Sequence, residues 1–167
     1  SPFVYQNMMG MSATGYAIAF AINAIGMVSC TALSGKLVKR YSLEKLIALG
    51  LAVNVTAVAG IGLVTVSGAD IRLMAICFFF IVASLGFIFG NSTAVALSAV
   101  DRAAVGTASA MIGMSQFALG GITTATAGLS GENSTVALAI VSAVSAACAL
   151  TAFLMARKAQ AKVHHIG

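Results

Sequence analysis

Charge is what this chain has least of. Of its 167 residues, only nine are Lys or Arg and four are Asp or Glu, 8% in all. Soluble domains carry about 25%, so a water-exposed globular surface is excluded. There is no tryptophan, and the single proline is Pro2, so no complete apolar run can be kinked by proline. The three cysteines, Cys30, Cys77 and Cys148, stand apart with no metal-ligand spacing to a histidine or to one another. They are expected as small buried thiols without a disulfide, and no metal site is expected. His164 and His165 lie in a basic tail and are expected to be solvated. Nucleotide-binding glycine loops, zinc-protease HExxH and the serine-hydrolase elbow are all missing. Gly60-Ile61-Gly62 falls within an apolar run and is no phosphate loop. No enzyme chemistry and no cofactor is expected. A net charge of +5 could point to nucleic acid, but the basic residues flank apolar runs, where they act as topology signals and headgroup contacts. Nucleic-acid binding is therefore not expected, whereas membrane lipid is an expected partner.

What is present is hydrocarbon. Hydrophobic residues make up 60% of the chain, and the mean hydropathy is +1.03. Five runs reach the roughly 20 residues a helix needs to cross a bilayer: about 13–33, 46–66, 73–97, 104–129 and 136–156. They are too long for barrel strands and do not alternate polar with apolar, so helix is the state that satisfies their backbone in lipid. The expected fold class is all-α, a polytopic membrane helix bundle forming a single domain over 1–167. Residues 1–11 are expected as the end of a preceding helix and its outer loop, and 157–167 as a tail. No cleavable signal peptide is visible. The absence of an initiator Met fits a piece of something longer.

The charged clusters between the runs alternate in kind. Lys36, Lys39, Arg40 and Lys45 follow the first run, Asp70 and Arg72 the second, Asp101 and Arg102 the third, Glu132 the fourth, and Arg157, Lys158 and Lys162 the last. By the positive-inside rule the first, third and last clusters are cytoplasmic. That leaves Arg72 as the one basic residue of nine outside. The expectation is a multi-pass protein of the plasma (inner) membrane with its C-terminus in the cytoplasm.

No ionised side chain lies well inside a complete run, so any ion-coupling carboxylate is expected elsewhere. The intramembrane polar groups are amides and hydroxyls. Asn23 lies mid-run with Phe20 and Met27 on neighbouring turns, and Gln116 lies mid-run beside Met111, Met114 and Phe117. An amide in a greasy, Met-rich surface suits large, weakly specific apolar ligands. Asn23, Gln116, Phe20 and Met27 are therefore candidate lining of a shared substrate cavity, set against the plainer alternative of interhelical hydrogen bonds. Asn54 is assigned to packing. Of Phe78, Phe79 and Phe80, at most one or two can share a helix face. Small residues at four-residue spacing (Gly86 and Gly90; Ser109 and Gly113; Gln116 and Gly120) mark faces for close helix approach.

Several segments resemble the second half of major facilitator drug exporters of the bicyclomycin/chloramphenicol-resistance (Bcr/CflA) type. Residues 1–6 (SPFVYQ) followed by 16–26 (YAIAFAINAIG) resemble the join of that family's seventh and eighth helices. Residues 85–97 (LGFIFGNSTAVAL) are similar to its tenth helix, and 105–121 (VGTASAMIGMSQFALGG) to its eleventh. Residues 35–41 (GKLVKRY) are similar to the degenerate second copy of its cytoplasmic loop motif, although Ser42 replaces a usual glycine and the acidic position is missing. The resemblance implies the C-terminal six-helix half of a twelve-helix drug/proton antiporter, with its first helix mostly missing. A small hydrophobic drug would be the substrate, and an N-terminal transporter half the partner. It favours Asn23 and Gln116 as site residues, adds Asn91 and demotes Asn54. It also places the proton-coupling acid in the other half. The alternatives are half of a metabolite or sugar facilitator, or a small non-transporting membrane scaffold subunit.

Overall fold

The computed structural model describes residues 12–68, 70, 72–129 and 135–164, with side chains described through 12–68, 70, 72–125 and 140–156. The expectations for 1–11 and for Glu132, and the side chains of Arg157, Lys158 and Lys162, lie outside that range. The fold is an all-α membrane helix bundle: α1 (Ala13–Leu37), α2 (Leu43–Ser67), α3 (Arg72–Ser98), α4 (Val105–Leu129) and α5 (Thr135–His164). A single 3-10 turn, Arg102–Ala104, leads into α4. No strand occurs among the described residues. Four of the helices, up to and including the one ending in α4, are long and apolar enough to cross a membrane. The fifth is apolar over Ile140–Ala156.

Polar residues at the run ends set the helix limits. Ser12 Oγ accepts the Gly15 N–H at 3.1 Å and caps α1. Gly68, at φ 64°, closes α2 in the left-handed conformation. Asp70 Oδ1 accepts the Arg72 N–H at 2.9 Å where α3 begins. α5 continues past its apolar run, which ends at Ala156, to His164, because Arg, Lys, Ala and Gln between 157 and 162 are good helix formers whatever solvent surrounds them.

α3 is the central element. It packs against α1 on one side and α2 on another, while α5 packs on α2. Gly26 lies against Phe79 and Ser34 against Asn91, so α1 and α3 run parallel. Gly60 lies against Cys77 and Gly50 against Phe87, so α2 runs opposite to both. Most of the buried core lies along this α2–α3 seam: Leu46, Ile47, Leu51, Ala57 and Ile61 from α2, and Met74, Ala83 and Phe87 from α3. By contrast, α4 touches α3 and α5 only sparsely. None of its membrane-spanning window is buried among the described residues.

Glycine decides where the backbones meet. A Cβ on Gly86 would lie 2.6 Å from the Met27 carbonyl oxygen and 2.7 Å from the Thr31 nitrogen of α1. Both obstructing atoms are backbone and cannot rotate away. The partner in the four-residue pattern, Gly90, meets nothing within 4 Å, nor do Gly113 and Gly120 of α4. The small-residue faces foreseen from spacing are thus used at one position of α3, and on α4 they meet no described neighbour.

This contrast gives a direct test. Gly86→Ala should force α1 and α3 apart and cost about 1–3 kcal/mol. Gly90→Ala, four residues along the same helix, should be neutral or slightly stabilising through helix propensity. Thermal unfolding followed by circular dichroism in detergent distinguishes them; equal melting of the two variants would refute the close-approach account.

Candidate functional site

The intramembrane amides divide into two kinds. Asn54 Nδ2 donates to Ser84 Oγ at 3.0 Å, and Ser84 Oγ donates in turn to the Ile81 carbonyl at 2.7 Å. This short relay pins α2 to α3, which is the packing role expected of Asn54. Asn91 is buried at the other end of α3. Its Nδ2 donates to Ser34 Oγ at 2.8 Å and to the Phe87 carbonyl, one turn back, at 2.7 Å. It was expected at a substrate wall, but its amide hydrogens are already engaged in clamping α1 to α3.

Asn23 is half-buried and has a hydrogen-bonding or ring partner of its own. It shares a helix face with Cys30 and Ser34, seven and eleven residues on, the face that α1 turns toward α3. Phe20, one turn before it, is 63% exposed and stacks at a tilt with Tyr16, ring centroids 6.3 Å apart. Met27 is half-buried. Gln116 is exposed on α4, and Met111, Met114 and Phe117, which are 64%, 74% and 85% exposed, form a stripe on another side of the same helix. None of the membrane-spanning window of α4 is buried among the described residues, so both the thioether-and-ring stripe and the amide are uncovered there.

Asn23 and Gln116 are not brought into one pocket by the described residues, since α1 and α4 each lie against α3 and are not packed on each other. Two grooves stand out, and neither includes them. One, of about 580 Å³, runs between α2 and α5 and is lined by small aliphatic residues such as Val58, Ala59 and Ala146. The other, of about 490 Å³, lies where α1 and α2 straddle α3, over Phe79 and Phe80. Sequence reasoning did not find this second groove. The Phe78-Phe79-Phe80 run was its one visible signal, and Phe80 is 48% exposed there. The three cysteines are free thiols. No grouping of His, Cys, Asp or Glu suited to a metal occurs among the described residues.

The comparisons with known proteins bear on the family. The chain is 25% identical over 153 residues to the uncharacterized MFS-type transporter YdgK of Bacillus subtilis (strain 168), across 92% of its own length. The similarity supports the major facilitator superfamily. The chain spans 38% of that relative's length, and the relative's name specifies neither substrate nor coupling ion. No family model matches the chain, and no solved structure matches it significantly.

The Asn91 clamp is testable by itself. Asn91→Ala and Ser34→Ala should each lower thermal stability, and the double variant should reveal a coupling of about 0.6 kcal/mol, the usual worth of a hydrogen bond between membrane helices. Strict additivity of the two losses would show that the amide and hydroxyl do not act as a pair.

Proposed function

We propose that this chain is the C-terminal half of a drug/proton antiporter of the Bcr/CflA type, forming one wall of its central substrate cavity. The observation that carries the proposal is that α4 is unburied on more than one side, with Met111, Met114 and Phe117 exposed along one stripe and Gln116 exposed on another. Thioethers and aromatic rings adapt to varied apolar shapes, and one amide can orient a neutral polar group without selecting a single ligand. Asn23, Phe20 and Met27 on α1 supply the facing lining once a second half closes the space. Asn91, already a clamp, contributes indirectly by holding α1 in register with α3. The described helices hold no ionised residue in their interior, so the proton-coupling carboxylate belongs to the N-terminal half, which this chain needs as a partner. The short coverage of the transporter it resembles is in keeping with that division. Alternating access then consists of one bundle rocking against the other around a site near the bilayer midplane. The alternation of the charge clusters supports reading the protein as one of the inner membrane with the α1–α2 turn and the C-terminus in the cytoplasm.

In the full-length transporter, Asn23→Ala and Gln116→Ala should each change the profile of drugs exported while expression and melting temperature hold. A lost hydrogen bond to a neutral ligand is worth about 0.5–1.5 kcal/mol, a several-fold change in affinity. Lower yield with an unchanged profile would instead assign both residues to packing. The 167-residue chain alone, reconstituted in vesicles, should show no saturable drug flux.

Orientation has its own test. In a cysteine-free background, Lys39→Cys and Ser67→Cys should react with a membrane-impermeant maleimide from opposite sides of intact cells, Ser67→Cys from outside. Labelling of both from one side would break the topology.

A further inference from the structure

Two features on one side of the bundle lie in line. The first is the groove where α1 and α2 straddle α3. Ile22, Ile25 and Ser29 of α1 form one wall, Val53 of α2 the other, and Phe80 and Phe87 part of the floor. The floor hydroxyl of Ser84 is already engaged with Asn54 and the Ile81 carbonyl. The groove therefore suits a hydrocarbon occupant. The second feature is the α1–α2 turn. Lys36, Lys39, Arg40 and Lys45 are all exposed there, and no ion pair among the described residues neutralises them.

Helix geometry joins the two. Ile22, Ile25, Ser29 and Lys36 are spaced by three, four and seven residues, which places them on one stripe of α1. At a rise of about 1.5 Å per residue, Lys36 stands roughly 10 Å along the axis from Ser29. The hydrocarbon of one leaflet is about 15 Å deep, so a lipid with its phosphate beside Lys36 reaches the middle of the groove with its tail. We infer that this side of the chain is a binding site for one anionic phospholipid, with an acyl chain along the α1 stripe against Phe80 and Phe87 and the phosphate among Lys36, Lys39 and Arg40. A free phosphate could meet the same cations, but only a lipid fills the apolar groove as well. The site is independent of substrate class and of which side of the membrane the turn faces.

The chain has no tryptophan, so Phe80→Trp makes a single fluorescent reporter in the groove. Val144→Trp, at a residue 57% exposed on α5 and a similar number of residues into its helix, serves as reference. The chain is reconstituted in phosphatidylcholine vesicles containing a minor fraction of phosphatidylglycerol brominated on its acyl chains. Phe80→Trp should be quenched well beyond Val144→Trp. The excess should vanish when phosphatidylcholine carries the bromine instead. It should fall on combining Lys36→Gln, Lys39→Gln and Arg40→Gln, by roughly fivefold in apparent affinity for each cation removed. Inorganic phosphate added to the vesicles should leave the excess unchanged. Equal quenching of the two reporters, an excess that survives neutralisation, or one abolished by inorganic phosphate would each overturn the proposal. If Phe80→Trp does not fold, Ile22→Trp reports on the same groove from α1. Native mass spectrometry of the unsubstituted chain should likewise retain phosphatidylglycerol in preference to phosphatidylcholine, and equal retention would count against the site.

Discussion

The close approach of α1 to α3 at Gly86 is the constraint on which the rest of the bundle depends. In lipid there is no hydrophobic gain from pressing two apolar helices together, because hydrocarbon surrounds them either way. Association rests on shape and on the few polar groups that cross the seam. Gly86 lets α3 come against the α1 backbone itself, at Met27 and Thr31. Only at that separation do the shorter polar contacts become possible. Asn91 then reaches Ser34 one and a half turns farther along the same seam. On the other side, Gly50 brings α2 within reach of Phe87 and the Ser84 carbonyl, and Asn54 meets the Ser84 hydroxyl. Glycine sets the distance, and the amides set the register.

The consequence is a division of labour among the helices. α1, α2 and α3 form a tightly joined unit whose buried residues and interhelical amide bonds lie along its two seams. α4 has no such seam. Its glycines meet open space, and its Met, Phe and Gln side chains face outward. A packed seam must exclude solvent and satisfy each polar atom, and no buried side-chain nitrogen or oxygen among the described residues lacks a partner. Gln116, on the uncovered α4, is under no such requirement.

The amides show how far a linear sequence can be followed. Asn54 and Asn91 look alike on paper, each an amide in an apolar run, and each bonds a serine across a helix seam. Which seam each joins depends on which neighbour lies opposite, Ser84 for one and Ser34 for the other. Those serines are 30 and 57 residues away in the chain. No local pattern encodes such a pairing. The same holds for Gly86 and Gly90, identical in spacing and composition, of which only one meets another helix.

The sequence by itself determined that this is a membrane protein and that its state is helical. Those properties follow from local physics: the length of uncharged runs against the thickness of a bilayer, the need of every backbone amide in lipid for an internal partner, and caps such as Ser12 and Asp70 at the ends. α5 runs on to His164 because charge ends a membrane run without ending a helix. Tertiary structure alone decided that α3 is central, that Asn91 faces α1, and that a groove opens over Phe80 in line with Lys36. Each of those depends on the rotation of one helix about its axis relative to another. In helices this uniformly apolar, the sequence marks no polar side from which that rotation could be read.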